Sequence, residues 1–228
     1  MSNEVVFLFD VDNTLLDNDR VAADVRDHLE GEVGYDRQQR YWIAFEGLRA
    51  RVGYADYLGA LQLYRANFPH DPHLLTVSHF LLEYPFAERL YPNAFDAVRR
   101  ARELGKHVIL SDGDVVFQPH KVWRSGLYDA FDGAVLIYVH KELELEDVAR
   151  RYPADHYVLV DDKVRILTAV KEIWGRRVTT VFPRQGHYAL DEKVVRSFPA
   201  PDFTIQSIRE LVELDFRAVA ERAAVRAG

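Results

Sequence analysis

Apolar positions along this chain follow two rhythms. Five short runs, at residues 5–9, 107–110, 134–139, 157–160 and 178–182, are nearly continuous in apolar character. Such runs suit parallel strands covered on both faces. Between them the spacing becomes helical. Asn93 opens a helix with Ala94, Ala97, Val98, Ala101 and Leu104 on one side, and Gly105 stops it. Further helices are predicted over 118–125, stopped by Gly126, over 143–151, stopped before Pro153, and over 164–174, stopped by Gly175. Alternation of strand and helix predicts an α/β fold, a Rossmann-like parallel sheet with helices on both faces. Ser207 and Glu210 form a capping-box pattern that predicts a last helix through about residue 222.

Residues 17–90 break this alternation. They contain helical stretches at 21–29, 37–50, 54–67 and 74–84 and no strand-like run, with Gly31, Gly34, Gly53 and Pro69-His70-Asp71-Pro72 as punctuation. Strand-to-strand connections are usually far shorter. The block therefore predicts a small all-helical domain at 17–90, inserted into an α/β core made of 1–16 and 91–228. Its aromatics Tyr41, Trp42, Phe45, Tyr54, Tyr57, Tyr64 and Phe68 recur at helical spacing and are expected in its core. His70, His73 and His79 do not match a familiar zinc-ligand spacing and read as a polar loop.

Composition narrows the function. With 228 residues, 48% hydrophobic and 29% charged, the chain has enough apolar residues for one core plus an appendage. A net charge of −7 argues against a nucleic-acid surface but not against small phosphorylated molecules. The absence of cysteine excludes disulfides, zinc–thiolate sites and thiol nucleophiles, and fits a reducing compartment. The first residues lead into a strand with no basic segment before it, and no apolar run reaches the length of a membrane span. A soluble, cytoplasmic protein with no membrane partner is expected.

In open parallel sheets, ligands bind outside the carboxyl ends of the strands. The strand ends here carry Asp10, Asp12 and Thr14, then Ser111-Asp112-Gly113-Asp114, then His140-Lys141, then Asp161-Asp162-Lys163. This set suits phosphoryl transfer. Asp10 and Asp162, with a backbone carbonyl, are oxygen ligands for a hard cation such as Mg²⁺. A carboxylate can attack phosphorus and form an aspartyl-phosphate. Lys141, the Ser111 hydroxyl and N–H groups near Gly113 can stabilise the developing charge. Asp12 can protonate the leaving alkoxide. Lys121 competes with Lys141 for the cationic role, and Lys141 is preferred because it directly follows a strand. Asp112 and Asp114 read as helix caps or supporting acids. Arg49 and Arg51 are the insert's candidates for a charged substrate.

Asp10-Val-Asp12-Asn-Thr14, Ser111, Lys141 and Asp161-Asp162 together resemble the four motifs of the haloacid dehalogenase (HAD) superfamily, mostly phosphohydrolases. The likeness covers nearly the whole chain. It implies that Asp10 is nucleophile and Mg²⁺ ligand, and that Asp12 is the general acid and base and offers its carbonyl to the metal. It further implies that Ser111 and Lys141 hold phosphate, that Asp162 is a ligand and that Asp161 supports it from behind. Thr14, Asp112 and Gly113 then stand beside the substrate. The insert falls where the family carries a helical cap. Departures are the acidic run Asp112-Gly113-Asp114, Glu142 after Lys141, and Arg165-Ile166 where some relatives have an acid. The expected activity is Mg²⁺-dependent dephosphorylation of a small metabolite. The alternatives are a 2-haloacid dehalogenase of the same fold and a non-catalytic phosphoacceptor module. A receiver-type module fits poorly, because its paired acids precede the phosphorylated Asp in a much smaller domain.

Overall fold

The structure, a computed structural model, describes residues 4–214. Among these residues six strands form one sheet: β1 (Val5–Phe9), β2 (Lys106–Asp112), β3 (Val135–Tyr138), β4 (His156–Val160), β5 (Val178–Pro183) and β6 (Phe203–Ile205). Their order is β3-β2-β1-β4-β5-β6, and every neighbouring pair is parallel. Between β1 and β2 stand α1 (Asn18–Val33), α2 (Tyr35–Val52), α3 (Tyr57–Asn67), α4 (Leu74–Glu83) and α5 (Ala94–Leu104). Helix α6 (Phe117–Arg124) and the one-turn α7 (Leu127–Ala130) precede β3, and α8 (Leu145–Arg151) precedes β4. Helix α9 (Val164–Trp174) precedes β5, and the short α10 (Gly186–Leu190) and α11 (Glu192–Arg196) precede β6.

The apolar run of β1 serves two faces at once. Successive side chains of a strand point to opposite sides. Val6 and Leu8 therefore pack with Leu159, α8 and α9, while Phe7 and Phe9 pack with Ile109, α5 and α6. Because β1 is central, with Phe9 opposite Ile109 on β2 and Val160 on β4, the strands leading to Asp10, Ser111 and Asp161-Asp162 end side by side.

The α/β architecture agrees with the sequence reading, and α9 has the expected bounds. Strand β2 extends beyond the expected run by Lys106 at its start and by two residues at its end, where Ser111 and Asp112 pair with Ile137 and Tyr138 of β3. Helix α8 begins later than expected, after a 3₁₀ turn over Lys141–Leu143. Gly31 does not interrupt α1; Gly34, whose φ of +79° suits glycine, makes the break between α1 and α2. Strand β6 and helices α7, α10 and α11 were not foreseen, and each is five residues or shorter. Ile208–Val212 form a 3₁₀ turn and the expected capping box does not close: Ser207 makes no side-chain cap, and Glu210 accepts instead from the Gln206 N–H at 3.0 Å. The remainder of that expected helix lies outside the described residues. Among the described residues, no helix is long and apolar enough to cross a membrane.

The four inserted helices bury Tyr41, Phe45, Tyr57 and Tyr64 as expected, while Trp42 and Phe68 are half-buried against them. Their apolar interior continues into the sheet's own core. Tyr57 on α3 and Phe86 in the return segment both meet the Phe117 ring of α6, at 5.2 and 5.6 Å between centroids. The two connecting segments also pair with each other. Leu16 bridges Leu90, the Asp17 N–H donates to the Arg89 carbonyl at 2.7 Å, and the Tyr91 N–H donates to the Leu15 carbonyl at 2.9 Å.

Phe117 therefore joins insert and core, and it is buried. Replacing it with Ala removes a large ring and opens a cavity; Phe117→Ala should lower unfolding free energy by about 3–5 kcal/mol in a urea titration.

Candidate active site

The loop after β1 takes its shape from one asparagine. The Asp10 N–H still bonds the Val160 carbonyl of β4 at 2.9 Å. Asn13 then adopts a left-handed φ of 59°, which asparagine tolerates better than most residues. The chain turns back on itself, and the Asn13 N–H meets the Leu16 carbonyl at 2.6 Å. The Asn13 Oδ1 accepts from the N–H groups of Asn18 and Asp19, at 2.9 and 3.1 Å, and so seats the first turn of α1. A second loop holds this one from outside. Gln185 donates to the Thr14 carbonyl at 3.1 Å, and Gly186, at φ +70°, lies so close that a Cβ there would sit 2.4 Å from Asn13 Cβ. Only glycine fits that approach.

Asp10 is buried at the centre of the strand ends. Its Oδ1 accepts from the Lys141 ammonium at 2.5 Å, and the same ammonium lies 2.7 Å from Asp161 Oδ2. Burial opposes the charge on Lys141, yet Asp10, Asp161 and Asp112 outweigh it and hold the lysine's pKa well above its ordinary value. Thr14 Oγ1 donates weakly to Asp10 Oδ2 at 3.4 Å and accepts from the Asp162 N–H at 3.0 Å, which ties β1's loop to β4's end. Asp161 Oδ1 accepts from the Lys163 N–H. Asp162 is different: it is fully buried and neither of its carboxylate oxygens has a hydrogen-bond partner. Burial pushes the Asp161 carboxyl up to about 6 and the Asp162 carboxyl well above the usual carboxylate range.

These acids fit a divalent cation. Among the described residues Asp10, Asp161 and Asp162 place one oxygen each within 4.8 Å of one another. A buried carboxylate with two unpaired oxygens is costly, and a hard cation removes that cost. The cluster holds more carboxyls than ammonium groups: Asp10, Asp12, Asp112, Asp161 and Asp162 stand with Lys121, Lys141 and Lys163.

The remaining sequence candidates divide between this buried layer and the space above it. Ser111 is buried, its hydroxyl donating to the Asp112 carbonyl at 3.3 Å and accepting from Gln118 at 3.0 Å. Asp112 accepts from the Lys141 N–H at 2.8 Å, which fixes the start of the turn bearing that lysine. The Gly113 N–H is committed to the Tyr138 carbonyl at 2.9 Å. Asp114 caps α6 by accepting from the N–H groups of Val116 and Phe117, in line with the capping role expected for it. Lys121, weighed as a rival to Lys141, is neither a surface lysine nor a substitute for it. It is 1% exposed and donates to Asp12 Oδ1 at 2.6 Å.

Over these groups lies a cavity of about 620 Å³ between insert and core. Asp12, Asp112 and Lys163 stand on its core side, and Glu46, Arg49 and Tyr54 on the insert side. Val164, Tyr188 and Phe198 give it an apolar wall. Arg49 is paired with Glu46 at 2.9 Å, whereas Arg51 is exposed outside this lining. His73 pairs with Glu32, consistent with a polar loop. The chain pattern gave no signal for Asn13, Gln185 and Gly186 as shapers of the site. The roles of Gln185 and Gly186 come from loop-to-loop contacts across 171 and more positions of sequence, whereas Asn13 acts through its own turn.

The family model of haloacid dehalogenase-like hydrolases matches residues 5–173. Among solved structures, a haloacid dehalogenase-like hydrolase from Burkholderia xenovorans LB400 is 59% identical over 93% of this chain and 99% of that one, with a TM-score of 0.89. The L-2-haloacid dehalogenase of Xanthobacter autotrophicus is 20% identical over 92% of this chain and 97% of its own, with a TM-score of 0.59. The HAD-hydrolase YfnB of Bacillus subtilis, solved bound to magnesium, is 15% identical over 93% and 98%, with a TM-score of 0.60. At such identities the last two share the fold alone. No curated protein matches the chain. The matched span runs from the strand bearing Asp10 into the helix after Asp162, and the chain belongs to the haloacid dehalogenase-like hydrolase family.

Proposed function

We propose that this hydrolase is a phosphatase: it cleaves a small phosphate monoester through an aspartyl-phosphate on Asp10, with Mg²⁺ held by Asp10, Asp162 and the Asp12 carbonyl. The observation that carries this reading is Asp12, a carboxyl on the cavity two residues beyond the buried Asp10. A phosphate ester expels an alkoxide, which leaves poorly unless it is protonated as it departs. A 2-haloacid dehalogenase expels halide, which needs no proton, so that alternative leaves Asp12 without a task.

In the proposed reaction an Asp10 oxygen attacks phosphorus, the ester P–O bond breaks, and the departing oxygen takes the proton of Asp12. Asp12 then accepts a proton from water, whose oxygen attacks the aspartyl-phosphate, releasing phosphate and restoring Asp10. Lys141 first pairs with Asp10 and is within reach of an anionic group arriving there. Ser111 is held by Gln118 beside the same strand end. When bound, Mg²⁺ supplies charge neutralisation for the phosphoryl oxygens. The unpaired oxygens of Asp162 favour it as a ligand over Asp161, whose oxygens are engaged by Lys141 and the Lys163 N–H.

We further propose that residues 17–90 act as a cap on a core of 1–16 and 91–228. Asp10 is buried and insert residues Glu46, Arg49 and Tyr54 line the cavity beside Asp12, so movement of the insert would change access to the strand ends. The paired segments at Leu16 and Leu90 are the natural pivot. The cavity exceeds what a phosphate group needs, and its Val164, Tyr188 and Phe198 wall suits an ester with an apolar body.

Chelation should abolish hydrolysis of an aryl phosphate and added Mg²⁺ should restore it, while Ca²⁺ supports turnover poorly because its looser coordination spoils the attack geometry; full activity in excess chelator would exclude the metal role. Asp10→Asn should remove activity altogether, and Asp12→Asn should lower kcat by about two to four orders of magnitude with an alkyl phosphate. Free halide released from a 2-haloacid, with no phosphate from any ester, would establish the alternative. Arg49→Ala should shift the ratio of kcat/KM between a phosphate ester with a second anionic group and a neutral one by about tenfold, read in parallel steady-state assays. An unshifted ratio would remove Arg49 from substrate selection.

A further inference from the structure

The two aspartates of the Asp10-Val-Asp12 turn do not share a cation; each has its own buried lysine. Lys141 serves Asp10 from the end of β3, and Lys121 serves Asp12 from the middle of α6. Lys121 lies between Phe117 and Val122, both fully buried, on a helix face that also buries Gln118. Burying an ammonium there is expensive compared with a leucine or methionine of similar size. Its head group reaches across 109 positions of sequence to Asp12 Oδ1 at 2.6 Å, and it also donates to Asn18 Oδ1 at 3.0 Å. Asn18 is the first residue of α1, and the Tyr57 hydroxyl of α3 bonds it in turn. Lys121 therefore touches the core's cavity acid and the first residue of α1 at once.

The geometry at Asp12 is one-sided. Oδ1 is held by Lys121, whereas the side chain remains 20% exposed and lines the cavity. We propose that Lys121 is a positioning residue for Asp12: by clamping Oδ1 it turns Oδ2 toward the leaving-group oxygen, and through Asn18 it makes that orientation depend on α1 standing against the core. The inference rests on the phosphatase reading above. In the step concerned the proton passes from Asp12 Oδ2 to the departing oxygen as the P–O bond breaks, and the Lys121 ammonium keeps its protons. With α1 displaced, Asn18 leaves the ammonium, Asp12 loses its bracing and the acid is out of place. Proton donation is thereby confined to the closed arrangement.

The test compares an alkyl phosphate with p-nitrophenyl phosphate, whose leaving group needs little protonation. Lys121→Met should lower the single-turnover rate of leaving-group release from the alkyl ester by about ten- to hundredfold, and from p-nitrophenyl phosphate by less than about threefold, because in that step only the first depends on a placed acid. KM for both esters should stay near the wild-type value, and Lys121→Arg should recover part of the alkyl-ester rate. Asn18→Ala, at a half-buried helix start, should show the same selectivity in weaker form and serves if Lys121→Met does not fold. A loss of equal size with both esters, or undiminished alkyl-ester turnover in either variant, would overturn the positioning role while leaving the phosphatase reading intact. A wild-type protein inactive on both esters would overturn the two together.

Discussion

A buried ammonium between two buried carboxylates is the contact on which the rest of this site depends. Lys141 has no exposure and bridges Asp10 and Asp161, which stand at the ends of adjacent strands. Each of these charges alone is costly to desolvate, and deleting one partner of such a buried pair typically costs about 3–5 kcal/mol. Together they hold the ends of β1 and β4 to the turn after β3. Asp112 reinforces that turn by accepting from the Lys141 N–H, so one side chain places the lysine's backbone while two others take its charge. Asp162 stands outside that pairing with both oxygens free of hydrogen bonds, and with Asp10 and Asp161 it forms a cluster able to hold a cation.

Around this centre, the loop carrying Asp10 and Asp12 is held on several sides by parts of the molecule with different freedom. Thr14 ties it to β4, Gln185 and Gly186 press on it from the segment after β5, and Asn13 hands it on to α1. Most of these partners belong to the sheet. Asn18, Asp19 and the return segment at Arg89 to Tyr91 belong to the insert or its connections. Asp19 accepts from the His187 N–H at 2.7 Å as well as from Asn13, adding a direct contact between α1 and α10. Motion of the insert would thus be felt first at Asn13 and Asp12, and last at Asp10, which the sheet and Lys141 retain. On the proposed reading, that division suits a nucleophile at Asp10 that stays fixed and an acid at Asp12 whose exposure changes.

The apolar clusters show why the insert is nonetheless well seated. Its aromatic interior meets α6 through Tyr57 and Phe117, and Phe86 closes the contact from the return segment. Burial of such rings supplies much of the packing between insert and sheet. Lys121 emerges from the same helix, one turn after Phe117. The helix that bonds insert to core by packing also reaches the cavity acid by charge.

Much of the architecture was legible in the sequence because it rests on local periodicity. The run at residues 5–9 had to be a strand covered on both faces, Gly105 and Gly175 had to end helices, and no strand pattern interrupted residues 17–90. The acids Asp10, Asp12, Asp161 and Asp162 were conspicuous for the same reason: charge immediately after an apolar strand is costly without a use. Sequence alone went wrong or fell silent where the deciding contact was distant. It left Lys121 and Lys141 as competitors, since nothing local shows that one reaches Asp12 and the other Asp10. It was silent on the partner of the Gly113 N–H, which is the Tyr138 carbonyl of β3. It read Gly31 as a break, though packing carries α1 past a glycine that costs about 1 kcal/mol in a helix. Local patterns of burial and backbone freedom are written in neighbouring residues. The partner of each buried charge is chosen by which strand ends and helices meet in space, and only the tertiary structure decided that.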